Sequence, residues 1–112
     1  SMAIDDRTRV RHILDAARQA SAFLQGRTRN DLESNDMLSL ALVRLMEVIG
    51  EAARNLSPQF CASHQDVPWK KMVGMRDRLI HGYFDVNLDV VWETVVQDLP
   101  PLIAQLEQLG MD

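Results

Sequence analysis

Between Arg76 and Tyr83 the chain reads Arg-Asp-Arg-Leu-Ile-His-Gly-Tyr, which gathers guanidinium, carboxylate, imidazole and phenol within two helical turns. An imidazole moves protons near neutral pH. A guanidinium holds an anion through a planar fork of donors, and a carboxylate fixes an imidazole tautomer by accepting from one ring nitrogen. On a continuous helix Asp77 and His81, four apart, share a face, so the spacing predicts that Asp77 aims the His81 ring. Arg76 and His81, five apart, point about 140° away from each other. They would meet only where the helix end turns back or a second chain faces it. A plain helix end closed by Gly82, with Arg and Asp on its exposed side, would contain the same residues without any chemistry, and the local pattern leaves both readings open.

Charge and composition narrow the classes. At 112 residues and 46% hydrophobic content, one domain spanning 1–112 with a single core is expected. Ser1 reads as a residue added ahead of the starting Met2. Cys61 is the only cysteine, so no internal disulfide forms. With His12, His64 and His81 scattered, no metal-ligand spacing is present and neither metal nor cofactor is expected. No charged start leads into an apolar run, so the expectation is a soluble, cytoplasmic protein without a membrane partner. A net charge of -4 argues against a general nucleic-acid coat. The distribution matters more: Lys70, Lys71, Arg76 and Arg78 crowd the stretch before His81, and no Lys or Arg follows it. The first segment would draw an anion. The second suits a basic partner or a solvated acidic face.

The elements that must position these residues read as helices. After Asp5 and Asp6, apolar residues from Val10 to Leu24 recur at three- and four-residue steps and close at Gly26. Thr28 and Asp31 resemble a capping arrangement for a short turn. A longer stripe runs from about Asn35 to Leu56. Ser57-Pro58 supplies a cap and a first-turn proline. Pro68 opens a third helix predicted to reach Gly82, and Asn87 caps a fourth that Pro100-Pro101 interrupts. The class is all-α, an antiparallel four- or five-helix bundle with a kinked C-terminal helix. Gly50 and Gly74 inside helices each cost about 1 kcal/mol relative to Ala. Gly50, beside Ala52 and Ala53, marks close packing against another helix or subunit. Glu47 and Glu51, one turn apart, either line a cleft or form exposed ion pairs with Arg44 or Arg54. His12 and His64 read as surface or helix-end residues, and Trp69 and Trp92 as core.

The order Arg76-Asp77-x3-His81-Gly82-Tyr83 resembles the R-x4-H-x-Y signature of HepT-like ribonuclease toxins within the HEPN superfamily. "RLMEVIGEAARNLS" from Arg44 resembles that family's long second helix, and the stretch from Val67 to Leu102 its C-terminal half. The resemblance implies a HEPN-like bundle that forms a homodimer, so that two motifs line one cleft, and a metal-independent cleavage of RNA. Arg76 and His81 would be the catalytic pair and Asp77 a supporting residue, with Lys70, Lys71 and Arg78 guiding RNA or simply solvated. Tyr83 would accept AMP from a nucleotidyltransferase antitoxin, adding charge and bulk that repel RNA phosphate; a packing or base-stacking tyrosine is the other reading. A non-catalytic helical module that binds a nucleotide or a nucleotidyltransferase would use the same cluster for anion contact.

Overall fold

The computed structural model describes residues 4–82 and 85–110. Several of its helices start where short polar side chains satisfy the first free N–H groups. Asp5 accepts from the Thr8 N–H at 2.8 Å and opens α1 (Asp6–Phe23). In the single turn α2 (Asp31–Ser34), the Asp31 carboxylate reaches back to the Thr28 N–H at 2.8 Å, the reciprocal half of a capping arrangement. Asn35 accepts from the Leu38 N–H at 3.1 Å and opens α3 (Asp36–Arg54).

α1 and α3 run antiparallel, because the Asp6 carboxylate accepts from the Ser57 N–H at 2.9 Å and from its hydroxyl at 2.7 Å. That pair of bonds ties the start of one helix to the end of the other. The Ser57 hydroxyl also accepts from the Phe60 N–H and so caps α4 (Pro58–Ser63). Val10, Ile13 and Leu14 of α1 and Leu42, Met46 and Ile49 of α3 are fully buried. Removing a side chain of this size from water stabilises by about 1.5–3 kcal/mol.

The third helix departs from its sequence-based expectation. It is two short helices, α5 (Trp69–Val73) and α6 (Met75–Leu79), meeting at Gly74. α6 stops three residues before Gly82 because Ile80 turns extended, at φ -122 and ψ 125. There it begins β1 (Ile80–His81), which pairs antiparallel with β2 (Asp85–Val86); Ile80 lies opposite Val86 and His81 opposite Asp85. Gly82, at φ 71, serves the turn of this hairpin rather than a helix end. The all-α class holds with this small ladder added.

Gly50 does answer to close packing, within the chain: a Cβ there would lie 3.1 Å from the Met72 carbonyl oxygen and 3.4 Å from that of Val73. The missing side chain lets the α5 backbone lie against α3. At Gly74 a Cβ would meet only the Lys70 carbonyl at 3.6 Å, an ordinary contact, so packing does not demand that glycine.

Asn87 caps α7 (Leu88–Glu93), accepting from the Val90 N–H at 3.2 Å. The expected kink is a π-turn over Thr94–Asp98, in which the Leu99 N–H donates to the Thr94 carbonyl five residues back. It leads into α8 (Leu99–Glu107), whose first turn holds Pro100 and Pro101, where missing N–H groups cost least. No helix among the described residues is long and apolar enough to cross a membrane.

Candidate active site

Because α5 lies against α3 at Gly50, α6 continues over the outer face of α3, and an open groove of about 320 Å³ lies between them. α6 supplies Arg76 and Asp77 to it, and α3 supplies Arg44, Glu47, Glu51 and Arg54. Each wall of this groove holds an ion pair: on α6 Arg76 Nη1 lies 3.6 Å from Asp77 Oδ1, and on α3 Arg54 Nε lies 3.7 Å from Glu51 Oε2. All four side chains are exposed, so these pairs orient more than they stabilise. Arg44 and Glu47 make no hydrogen bond or ion pair among the described residues. The cleft and the ion pairs foreseen for Glu47 and Glu51 are therefore both present in part.

His81 does not line the groove. It is exposed on β1, two residues past the last residue of α6. The expectation that Asp77 aims His81 fails on geometry: four-residue spacing brings two side chains together only on a helix, and the helix ends at Leu79. Asp77 instead faces Arg76. Across the ladder His81 is paired with Asp85, an exposed carboxylate. Opposed residues of an antiparallel pair hold their Cβ atoms about 4.5–5.5 Å apart, within reach of a carboxylate–imidazole contact.

The other predicted residues are spread around the molecule. Lys71 Nζ lies 3.7 Å from Asp98 Oδ2. Lys70 and Lys71 line a separate cavity with Cys61 and Trp69, whereas Arg78 is exposed on α6 and lines neither that cavity nor the groove. Burial, and then the charge of Asp6, pushes the Cys61 thiol up, which makes it a poor nucleophile. Tyr83, the expected AMP acceptor, lies outside the described residues. Among the described residues no group of three or more His, Cys, Asp or Glu side chains could hold a metal ion. Sequence reasoning did not single out Arg44, which lines the groove, or Asp85, which lies opposite His81. Arg44 carried a signal, since Arg44, Glu47, Glu51 and Arg54 recur at helical steps opposite the apolar stripe. Asp85 carried none, because only strand pairing brings it to His81.

Residues 13–109 match the family model described as Ribonuclease HepT-like, a span that includes the whole Arg76–Tyr83 segment. The chain belongs to the HepT-like ribonuclease family. It is 40% identical over 98 residues to a protein named "Putative RNase" from Caldanaerobacter subterraneus subsp. tengcongensis, covering 88% of each chain. It is 45% identical over 69 residues to "Probable ribonuclease HepT" from Thermococcus cleftensis, covering 62% of this chain and 63% of that one. No solved structure matches. Membership in the HepT-like family agrees with the helical, HEPN-like fold and gives the groove at Arg76 a chemical context.

Proposed function

We propose that the protein is a metal-independent RNA endonuclease, the toxin of a HepT and minimal-nucleotidyltransferase pair, acting in the cytoplasm with Arg76 and His81 as its catalytic residues. The match to the HepT-like family over residues 13–109 carries this reading. The chemistry suits the side chains. A base takes the proton of a ribose 2'-hydroxyl, the freed oxygen attacks the adjacent phosphorus, and the bond to the 5'-oxygen breaks as an acid protonates that leaving oxygen. His81 can serve as the base or the acid. Arg76, in an open groove, offers a planar fork to the phosphate oxygens as charge builds on them.

One histidine cannot be base and acid in the same step, and His81 stands outside the groove that Arg76 lines. The reading therefore includes a homodimer in which a second motif faces the first. Asp77 supports the site by holding the Arg76 guanidinium, and Lys70, Lys71 and Arg78 are outlying RNA contacts. AMP transferred to Tyr83 by the antitoxin would silence the enzyme by placing phosphate charge where RNA phosphate must bind.

The test is cleavage of RNA in the presence of EDTA. Arg76→Ala and His81→Ala, folded and of unchanged mass in solution, should each lose about 100-fold or more in rate. Undiminished cleavage by His81→Ala would sink the assignment, and no cleavage by the parent would favour a non-catalytic binding module. Tyr83→Phe should keep nuclease activity yet gain no mass when incubated with the nucleotidyltransferase and ATP; a gain at another residue would refute the acceptor role.

A further inference from the structure

Two grooves meet at Arg44. The one that holds Arg76 lies on one side of the outer face of α3, and a second, of about 270 Å³, lies between α1 and α3 with Arg9 and His12 on its α1 side. Arg44, Glu47 and Glu51 line both. Of the arginines in the first groove, Arg76 and Arg54 face carboxylates at 3.6 and 3.7 Å. Arg44 is exposed and has no such partner among the described residues. An unpaired guanidinium at the junction keeps all five donors for an incoming anion.

We infer that Arg44 is a phosphate contact for the substrate strand, so that RNA leaves Arg76 by crossing α3 from groove to groove, and Lys70 and Lys71 contribute less as outlying contacts. The inference rests on the ribonuclease reading for the identity of that strand. Arg44 and Arg54 stand ten residues apart on one helix, a separation of about 15 Å along its axis, which is longer than a single phosphate group. Glu47 and Glu51 lie between them and repel phosphate, confining the strand to the arginines. They also offset the groove's positive charge, so the lone guanidinium carries much of the attraction. Lys71 is engaged by Asp98, and the cavity it shares with Lys70 is not the one that Arg76 lines.

The experiment is fluorescence anisotropy of a short labelled single-stranded RNA with the full chain carrying His81→Ala, at several salt concentrations. This reads binding whether or not the parent cleaves. Adding Arg44→Ala should weaken binding about tenfold. It should also lower the slope of log affinity against log salt by about 0.7, the share of one phosphate contact on a single strand. Lys70→Ala with Lys71→Ala should change both less. Unchanged affinity and slope in the Arg44 variant overturn the inference, as does a larger loss from the lysine pair. A changed mass by light scattering also overturns it, since Arg44 would then belong to a subunit contact. Strong binding through Arg44 by a protein whose parent form leaves RNA intact would defeat the catalytic reading and leave this contact standing.

Discussion

α1 and α3 are 18 and 19 residues long, are capped at their starts by Asp5 and Asn35, and are fastened to each other through Asp6 and Ser57. α5 and α6 are 5 residues each, lack a side-chain cap, and run into a ladder of two-residue strands. Helices that short do not persist on their own. They stay because Trp69, Met72, Met75 and Leu79 are buried and both helices pack on α3, which leaves Lys70, Lys71, Arg76, Asp77 and Arg78 outside. Held by α1, the long α3 thus makes the surface on which the short helices are laid, and the polar groups that could do chemistry sit on the part that depends on the rest.

That contrast can be broken, and the largest expected effect does so directly. Met46→Ala deletes a fully buried side chain, and should cost about 2–5 kcal/mol in a urea melt. Arg76→Ala should leave the melt where it is while removing cleavage; equal shifts from both would erase the distinction between the two regions. Next comes Gly50→Ala, which forces the backbone of α5 away from α3 and should cost about 1–3 kcal/mol. Its cleavage should fall as well, because the groove is shaped by that approach, and a variant as stable and active as the parent would mean that α5 can shift freely.

A smaller effect sharpens the comparison inside the short region. If the carboxylate that attends His81 is the one across the ladder, Asp85→Asn should slow kcat by up to about tenfold. Asp77→Asn should instead act through Arg76 and raise KM. The reverse pattern would restore Asp77 as the partner of the ring.

The smallest effect belongs to the cap of α1. Hydrogen bonds from Thr8, side chain and then backbone N–H, hold the Asp5 carboxyl below its ordinary value of 3.8. A depressed folded value means that the cap's contribution is complete above the unfolded value and is lost as pH falls through the folded one. The difference in melting temperature between the parent and Asp5→Ala should therefore be present at neutral pH and shrink in acid. A difference that stays constant to about pH 2 would assign the effect to something other than ionisation.

Much of the fold could be read from residues near one another in sequence. Ser57 and Asn87 were placed correctly as caps, and the helices beginning after Asp5 and near Asn35 were placed to within a residue or two, since a helix start is decided by a side chain and an N–H three residues on. Gly50 was correctly tied to close helix packing, because an interior glycine needs a compensation. The end of α6 was not readable. Ile80 and His81 fit a helix as well as a strand, and what selects the strand is pairing with Asp85 and Val86 across a turn. That single non-local choice moved His81 off the helix and set Asp85 opposite it in the ladder. Of the candidate site, the sequence named Arg76 and Asp77, which line one groove, but not Arg44, which comes to that groove only because α5 and α6 are laid across α3.

The wide turn over Thr94–Asp98 accommodates one residue more than an α-turn would, and Val96, 44% exposed, is left at the surface there. Val91 and Val95 before Val96, and Leu99, Leu102 and Leu106 after it, all still reach the core. The chain can therefore lose one residue at this turn, closing it to an α-turn, without swinging the apolar side of α8 toward solvent. Relatives one residue shorter within their last helix should lack that residue just ahead of the paired prolines.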